Sequence, residues 1–304
     1  MQFDIPDGYK AGYVAVVGRP NVGKSTLINA ILRQNIAAVS EKPQTTRSNQ
    51  LGIWTQDMAQ IIFVDTPGIH DPVNTLGQAM NAEARDALDD ADMILWLLDA
   101  SVPPQAQDRN IARILKGRAH LVQALNKIDL LQDVELLEKT RARYQKLAPG
   151  AQQIIISALQ GAGFPALKEA IISHLPEGLP FYPRDQVTDI YERHIAADLI
   201  RAAALEFLQD EVPHAIAVRI DEYKERDDIG ARISATLFVE RESQKGIVVG
   251  KGGSMIKHIG TRARKAIEAM SARSVYLDLR VKVKKNWRSD PVFLQQMGYN
   301  TGKK

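Results

Sequence analysis

A length of 304 residues suggests about two domains and is enough for sizeable cores, and 45% of the residues are hydrophobic. The absence of cysteine excludes disulfides, thiolate metal sites and a cysteine nucleophile; because the sequence shows neither a signal peptide nor an apolar run near the roughly 18 residues of a membrane span, we expect a cytoplasmic protein. Residues 241–304 carry 15 Lys/Arg against 4 Asp/Glu, and residues 1–240 carry 24 against 32, so the basic end is predicted to bind a polyanion.

The first predicted elements are a buried strand at residues 13–17 and a helix that begins near residue 26. The loop between them fits the phosphate-binding pattern G-x-x-x-x-G-K-[ST]. Its backbone N–H groups are expected to surround phosphate oxygens, Lys24 to reach the β- and γ-phosphates, and Ser25 to offer a hydroxyl to Mg²⁺. The predicted nucleotide-binding residues here are Gly18, Arg19, Pro20, Asn21, Val22, Gly23, Lys24, Ser25 and Thr26.

The next two segments are predicted to face the γ-phosphate. The polar stretch at residues 44–47 (QTTR) suits a switch segment in which Thr46, or alternatively Thr45, supplies a second hydroxyl to Mg²⁺. An apolar strand at residues 61–64 leads into DTPG, where the first carboxylate is predicted to hold Mg²⁺ through water and the glycine N–H to meet the γ-phosphate. Isoleucine follows where Ras-like switches carry a water-orienting glutamine, so slow intrinsic hydrolysis is expected. The predicted nucleotide-binding residues here are Asp65, Thr66, Pro67, Gly68 and Ile69.

Two further strands are predicted to end in base-binding loops. The strand at residues 121–125 is followed by NKID, which resembles the N-K-x-D element of GTPases. Its carboxylate would accept hydrogen bonds from guanine N1–H and the exocyclic amine, donors that adenine does not offer. The strand at residues 153–156 leads into SAL, which is similar to the S-A-x loop whose backbone N–H groups bind guanine O6 in GTPases. The predicted residues are Asn126, Lys127, Asp129, Ser157 and Ala158.

These motifs all follow strands that alternate with helical stretches, which predicts an α/β P-loop domain with a mostly parallel sheet and helices on both faces. Three prolines and a glycine at residues 175–183 predict a linker. We therefore expect a nucleotide-binding domain at 1–176, a linker at 177–184, a second domain at 185–290 and a tail at 291–304.

The second domain is predicted to be α+β, in the order α-β-β-α-α-β. We expect a helix at residues 187–208, strands at 215–220 and 232–239 joined by a charged turn at 222–230, two helices, and a strand at 274–283. This order, with a G-x-x-G loop between the last two helices, resembles a bacterial, type II K-homology (KH) domain, which clamps about four single-stranded nucleotides. Trp287 is predicted either to stack on a base or to pack at the strand end. The predicted RNA-binding residues are Gly250, Lys251, Gly252, Gly253, Lys257, Arg262, Lys282 and Lys284.

A GTPase domain followed by such an RNA-binding domain resembles the Era family of bacterial GTPases over nearly the whole chain. The resemblance implies Mg²⁺-dependent hydrolysis of GTP to GDP, with Lys24, Thr46 and Gly68 as catalytic residues. It also implies binding of the GTP-loaded form to the 3′ end of 16S ribosomal RNA, assistance to 30S assembly, and in some members peripheral contact with the inner membrane. We expect a monomer.

Some alternatives stay open. Related GTPases with P-N-V-G-K-S use the asparagine to hold K⁺, so Asn21 either does the same or only shapes the loop. One rival function is a GTP-gated RNA clamp with negligible hydrolysis, suggested by Ile69. Another, a tRNA-modifying GTPase, is disfavoured because such enzymes carry a terminal cysteine that this chain lacks.

Overall fold

The computed structural model describes residues 5–39, 46–69, 71–189, 191–226 and 230–301. Contacts divide the chain into two units, the first comprising residues 1–34, 47–71 and 80–189, and the second residues 35–46, 72–79 and 190–304. The division thus falls at 189/190, whereas the sequence suggested a linker at 177–184; the domain bounds stay a prediction. Among the described residues, no helix combines the length and the apolar composition needed to cross a bilayer.

Helices and strands alternate along the first unit, except that the second strand is followed directly by the third. The order is β1 (Lys10–Val17), α1 (Lys24–Leu32), β2 (Gln50–Thr55), β3 (Ala59–Asp65), α2 (Thr75–Asp90), β4 (Met93–Asp99), α3 (Ala106–Leu115), β5 (Leu121–Asn126), α4 (Val134–Gln145), β6 (Gln152–Ile155) and α5 (Phe164–His174). Six described strands form one sheet in the order β2-β3-β1-β4-β5-β6, in which only β2 is antiparallel to its neighbour. The predicted mostly parallel α/β fold is confirmed.

Buried apolar strands hold this sheet in the core. Every residue of β3 and β4 is buried, as expected for a parallel sheet covered by helices. The carboxyl ends of β1, β3, β4 and β5 therefore share one edge, from which the nucleotide-binding motifs project. The sequence analysis did not identify β2 or β4, although the apolar run of β4 is a strong strand signal.

The segment predicted as a linker is bonded to the first unit. Gln60, inside β3, accepts hydrogen bonds from the N–H groups of Phe181 (2.7 Å) and Tyr182 (3.0 Å) and donates to the Tyr182 carbonyl (2.9 Å). The Gly178 N–H also donates to the Tyr9 carbonyl at 2.9 Å. A proline-rich stretch cannot form a helix, but its extended backbone can lie against a sheet in this way.

The second unit has the predicted order of elements. It contains α6 (Glu192–Phe207), β7 (Ala217–Arg226), β8 (Gly230–Val239), α7 (Glu242–Val249), α8 (Ser254–Ser271), β9 (Ser274–Val283) and a short α9 (Pro291–Gln296). The sheet order is β7-β8-β9, with β7 antiparallel and β9 parallel to β8. A core that includes Ile200, Ile233, Val248, Ile259 and Ile267 lies between the helices and this sheet.

Two predicted boundaries in this unit were wrong. The helix expected at 187–208 begins at Glu192, because the Val187 carbonyl and the Thr188 hydroxyl instead bond to β2 at Ile53 N and Leu51 O. Residues 222–226 of the expected turn are strand, since they pair with β8 after a register shift near residue 221, and residues 227–229 lie outside the described residues. Pairing with the neighbouring strand, rather than the high charge of this segment, determined its local structure.

Candidate nucleotide and RNA sites

The predicted phosphate-binding loop lies between β1 and α1, and its conformation requires glycine at one point. Gly23 has φ 102°, and a Cβ added there would lie 2.6 Å from Nδ2 of Asn126. Asn21 also has positive φ, at 64°. The Lys24 side chain is buried, and its Nζ donates to the carbonyls of Gly18 (3.2 Å) and Arg19 (3.4 Å). The loop thus encircles the lysine that is predicted to meet phosphate.

The electrostatics of Lys24 follow from its burial. Loss of hydration lowers the pKa of Lys24 below its ordinary value, and the nearby Asp65 carboxylate opposes this only in part. A phosphate placed against the amino group would favour its charged form by the same kind of interaction. The site is therefore suited to a strongly anionic ligand.

Oxygen ligands for a hard cation lie together beside this loop. The Ser25 hydroxyl donates to Oδ2 of Asp65 at 2.6 Å, so two predicted Mg²⁺ ligands are adjacent. The Thr66 hydroxyl donates to the Val16 carbonyl at 2.8 Å and ties the end of β3 to β1. A hydroxyl next to a carboxylate fits the oxygen donors that Mg²⁺ prefers.

The remaining residues of these segments are placed as follows. Thr46 is buried, whereas Gln44 and Thr45 lie outside the described residues. Pro67 is buried, and Gly68 lies against the ring of Pro20. Ile69 is only 8% exposed and belongs to a core cluster that includes residues of β1, α2 and β4. Its side chain thus packs in the protein interior, where it cannot orient a water molecule.

One side chain joins the phosphate loop to both predicted base-binding loops. Asn126 Nδ2 donates to the Val22 carbonyl, and Asn126 Oδ1 accepts from the Ala158 N–H, both at 2.8 Å. The Ser157 hydroxyl donates to Oδ1 of Asp129 at 2.5 Å and so fixes the carboxylate predicted to recognise guanine. The structure therefore brings the motifs after β1, β5 and β6 into one hydrogen-bonded arrangement.

A buried charge network behind the loops was missed in the sequence analysis. Asp99, at the end of β4, contacts Arg19 at 3.2 Å and Lys127 at 2.9 Å, one residue from each of two motifs. Arg19 also approaches the fully buried Asp108 at 3.5 Å, and Asp108 accepts a hydrogen bond from Tyr144 at 3.3 Å. The signal was available, because Asp99 ends an apolar strand as Asp65 does.

The two carboxylates of this network have opposite pKa shifts. Burial raises the pKa of Asp108, and its hydrogen bond from Gln105 and the charge of Arg19 compensate only partly. Burial also acts to raise the pKa of Asp99, but hydrogen bonds from Ser101 and Lys127 outweigh it and hold that pKa below its ordinary value. Asp99 is thus the stable anion that holds Arg19 and Lys127.

In the second unit, the glycine loop at residues 250–253 joins α7 to α8. Gly250 has φ 74°, and a Cβ there would lie 2.7 Å from the Met255 backbone nitrogen, so a side chain is excluded. Gly252 and Gly253 have open space around them. Lys251 in the loop and Lys257 in α8 are exposed, and neither has an ion-pair partner among the described residues. The loop and the start of α8 therefore expose glycine backbone and two lysine side chains that have no ion-pair partner among the described residues.

A groove between α8 and β9 continues from this loop. It encloses about 460 Å³, and its lining includes Lys257, Gly260, Arg264, Tyr276 and Leu279. Tyr276, which is 65% exposed, was not identified from the sequence. An exposed aromatic residue on a strand beside basic side chains is the signal that could have found it.

The other predicted RNA-binding residues are partly engaged with neighbours. Lys282 is exposed on β9, Arg262 pairs with Glu206 at 2.8 Å, and Lys284 pairs with Asp290 at 2.8 Å. The Arg262 pair is exposed and the Lys284 pair is partly exposed, so exchange of either partner for phosphate costs little. Trp287 is fully buried and donates from Nε1 to the Ala215 carbonyl at 2.8 Å; of the two interpretations, packing is the correct one.

Comparisons with known proteins agree with these two sites. Residues 13–127 match the family model described as a 50S ribosome-binding GTPase, and residues 211–288 match the KH domain model. The chain is 43% identical to GTPase Era of Carboxydothermus hydrogenoformans, covering 96% of this chain and 98% of the relative. It is 44% identical to GTPase Era of Leuconostoc citreum, covering 96% and 97%.

Solved structures with both units are similar as well. A crystal structure of Era in complex with MgGDPNP and nucleotides 1506–1542 of 16S ribosomal RNA matches with TM-score 0.91 and 39% identity, covering 96% of this chain and 99% of that one. A point variant of Aquifex aeolicus Era bound to GDP and AlF4⁻ matches with TM-score 0.90 and 39% identity, covering 95% and 99%. Together with the sequence relatives, these matches show that the chain belongs to the Era family of GTPases.

Proposed function

We propose that this GTPase uses its nucleotide state to control binding to the 3′ end of 16S ribosomal RNA, and thereby assists assembly of the small ribosomal subunit. The observation that carries the proposal is the exposed glycine loop with free Lys251 and Lys257 beside the α8–β9 groove. Such a loop lets phosphates approach backbone N–H groups at a helix start, while the groove accepts bases. The related Era structure with nucleotides 1506–1542 supports the choice of RNA.

In this proposal, guanine is selected by hydrogen bonds with the Asp129 carboxylate and with the loop after β6. The Asp129 carboxylate accepts from guanine N1–H and the exocyclic amine, and backbone N–H groups of the loop after β6 donate to O6. Asn126 holds both loops at the right distance, because it bonds to Val22 and Ala158. Adenine would leave the carboxylate without donors, which costs much of the binding energy.

The phosphates are held by the loop before α1. Lys24 would exchange its bonds with the Gly18 and Arg19 carbonyls for phosphate oxygens, and the Gly68 N–H would meet the γ-phosphate. Ser25 and Asp65, with Thr46 from the switch segment, are the proposed residues that hold Mg²⁺. When bound, Mg²⁺ offsets the negative charge of the β- and γ-phosphates.

Hydrolysis by the isolated protein is expected to be slow. Ile69 packs in the core, so the attacking water must be oriented by backbone groups or by another side chain. We propose that Asn21 holds K⁺, whose charge would stabilise negative charge on the bridge between the β- and γ-phosphates. Turnover faster in K⁺ than in Na⁺, with the difference lost in Asn21→Ala, is the expected result.

We further propose that the protein acts in the cytoplasm as a monomer. Peripheral contact with the inner membrane stays a prediction from the resemblance. Neither point affects the chemistry of the two sites.

The proposed function is tested by a pair of glycine variants. Gly252→Asp places a negative charge in the glycine loop, whereas Gly298→Asp places the same charge elsewhere in the unit. Both glycines have positive φ and no heavy atom within 4 Å of an added Cβ, so neither substitution creates a steric clash at Cβ. Binding to RNA spanning nucleotides 1506–1542 is measured with GDP and with a non-hydrolysable GTP analogue.

Gly252→Asp should weaken RNA binding at least tenfold, which is about 1.4 kcal/mol, by repulsion of phosphates. Gly298→Asp should bind RNA as the parent does, and both should bind GDP normally. Tighter RNA binding with the GTP analogue than with GDP is expected. Equal affinity for tRNA, or no difference between the two variants, would overturn the proposal.

A further inference from the structure

A second strongly cationic surface lies in the first unit, away from the nucleotide motifs. It is an open cleft of about 800 Å³, which we call the cationic cleft. Its lining includes the starts of β5 and β6, at Leu121 and Gln152, and so lies at the amino-terminal edge of the parallel strands. The nucleotide motifs follow the opposite, carboxyl ends of the strands. A ligand in the cleft would therefore leave the nucleotide site accessible. The charged and titratable residues that line it are Arg109, Arg113, Lys116, Arg118, His120, Lys146 and His174.

The cationic cleft is formed by two stretches of sequence in which charge is segregated. Residues 109–120 and 141–152 contain seven Lys/Arg and no Asp/Glu. No carboxylate appears in the lining itself, and of its cations, Arg118 pairs with Asp89 beside it at 2.5 Å. Residues 1–240 as a whole contain more acidic than basic residues, so this local excess of positive charge is not an average property of the unit. Such a concentration of like charge is unfavourable unless an anion offsets it.

Three of these cations lie along one face of α3 and its carboxyl end. Arg109, Arg113 and Lys116 have the spacing i, i+4, i+7 along α3 and its end, which places them on one face over about 10 Å. All three are exposed, and none has an ion-pair partner among the described residues; Arg113 contacts only the side-chain oxygen of Asn110, at 2.8 Å. Lys146 is exposed across the cleft at the end of α4. The line of charge is longer than a single phosphate group.

The helix ends at the cleft argue against a compact anion. Lining residues stand at or just after the carboxyl ends of α3, α4 and α5, which close at Leu115, Gln145 and His174. These ends present carbonyl groups and a partial negative charge, so they supply no cradle of N–H donors for one enclosed phosphate. Long basic side chains that extend past the helix ends instead suit a polymer whose charges are spread along a chain.

We propose that the cationic cleft is a second RNA-binding surface, which contacts phosphates of small-subunit ribosomal RNA outside the 3′-terminal segment. This inference rests on the proposed function, because it takes the same RNA as the partner. Two separate contacts on one RNA molecule raise the overall affinity without a change in either contact. Contacts to phosphate alone would position the first unit on the RNA without reading its sequence.

The test compares two triple variants of the full chain that remove the same charge. Arg109→Gln/Arg113→Gln/Lys116→Gln removes the line of cations in the cleft. Arg33→Gln/Arg85→Gln/Lys139→Gln removes three exposed cations of the same unit that lie outside both basic stretches and outside the lining.

Each variant is titrated with protein-free, full-length small-subunit ribosomal RNA, with purified small subunits, and with the RNA of nucleotides 1506–1542. Each full-length RNA titration is repeated over a range of salt concentrations.

The cleft variant should bind full-length RNA about tenfold more weakly, and the slope of log K against log salt should fall by about 2, since each lost phosphate contact contributes about 0.7. Its affinity for the short RNA and for GDP should be unchanged, and the control variant should behave as the parent. Unchanged affinity and slope with full-length RNA would overturn the inference. Weaker binding to intact subunits alone would also overturn it, since it would indicate an acidic protein partner. Failure of the parent to bind the short RNA would instead count against the proposed function, and the full-length RNA would still report on the cleft.

Discussion

Lys24 and Lys251 both follow a glycine in a loop that leads into a helix, yet their surroundings are opposite. Lys24 is 7% exposed, its amino group is held by two carbonyls, and burial lowers its pKa. Lys251 is exposed and has no ion-pair partner among the described residues. The side chains of the nucleotide site are therefore organised before the ligand binds. In the RNA loop, the organised feature is mainly the glycine backbone.

This difference determines how each site should respond to change. In the nucleotide site, buried polar groups depend on one another, so loss of one group leaves others unsatisfied. At the glycine loop, exposed charges act together and are screened by salt, so each contributes a modest and similar amount. Loss of a single polar group should thus have a large effect at the first site, and loss of a single exposed charge a small effect at the second.

The largest effect is expected from Asp129→Asn. An amide cannot accept from both donor groups of guanine, and its own NH₂ would face a donor, so GDP affinity should fall about 100-fold or more. Xanthine nucleotides, which carry a carbonyl in place of the exocyclic amine, should gain affinity. Competition against a fluorescent guanine nucleotide measures both effects. Asp133→Asn, an equal change at the exposed cap of α4, should alter neither, and a similar loss in both variants would contradict the assigned role.

Gly23→Ala should have the next largest effect. The new methyl group would meet Nδ2 of Asn126 at 2.6 Å and disturb the bond to Val22 that joins two loops, so nucleotide affinity should fall at least tenfold, or about 1.4 kcal/mol. Gly8→Ala is the matched control, because Gly8 also has positive φ but has nothing within 4 Å. It should lose about 1 kcal/mol of stability from backbone strain alone, with normal GDP binding in isothermal titration. Equal affinities would show that Asn126 does not organise the site.

The same contrast explains what could be predicted from the sequence. The motifs after β1, β3, β5 and β6 were found because each follows an apolar strand at a fixed spacing, and the structure brings Asn126, Val22 and Ala158 together as that arrangement requires. Asp99 and Asp108 were missed because their importance depends on contacts with Arg19, which lies about 80 residues or more away in sequence. The position of Asp99 at the end of an apolar strand is a local signal, but no local pattern records its pairing with Arg19.

In the second unit, element order was predictable and details of environment were not. Lys282 lies with Arg280 on one exposed face of β9, whereas Lys284 follows the strand and pairs with Asp290. The role of Trp287 was left open, since its spacing fits both an exposed and a buried aromatic residue, and only the partner carbonyl of Ala215 distinguishes them. The sequence analysis assigned residues 222–226 to a turn because they are highly charged, and their pairing with β8 could not be read from that charge.

A smaller effect, which depends on pH, is expected from Asp108→Asn. In the folded protein, burial raises the pKa of Asp108 above its ordinary value of 3.8. In the interval between 3.8 and the raised pKa, the folded protein therefore holds a proton that the unfolded chain has released. The free energy of unfolding of the parent therefore receives a contribution that falls as pH rises through this interval. The variant lacks that contribution, so its stability relative to the parent should improve with pH across the interval. Urea unfolding at several pH values measures this, and Asp90→Asn on exposed surface is the control.

The smallest effects separate packing from recognition in the second unit. Trp287→Phe keeps an aromatic ring in the core but leaves the Ala215 carbonyl without its donor, so stability should fall by about 1 kcal/mol while RNA affinity stays constant. Tyr276→Leu should do the reverse, because Tyr276 is exposed in the α8–β9 groove, and loss of stacking on one base should weaken RNA binding about fivefold. Thermal unfolding and RNA titration on the same samples distinguish the two. Weaker RNA binding by Trp287→Phe, at temperatures where the variant is fully folded, would mean that the buried indole supports the α8–β9 groove. The core around Trp287 and the groove would then depend on one another, as the buried groups of the nucleotide site do.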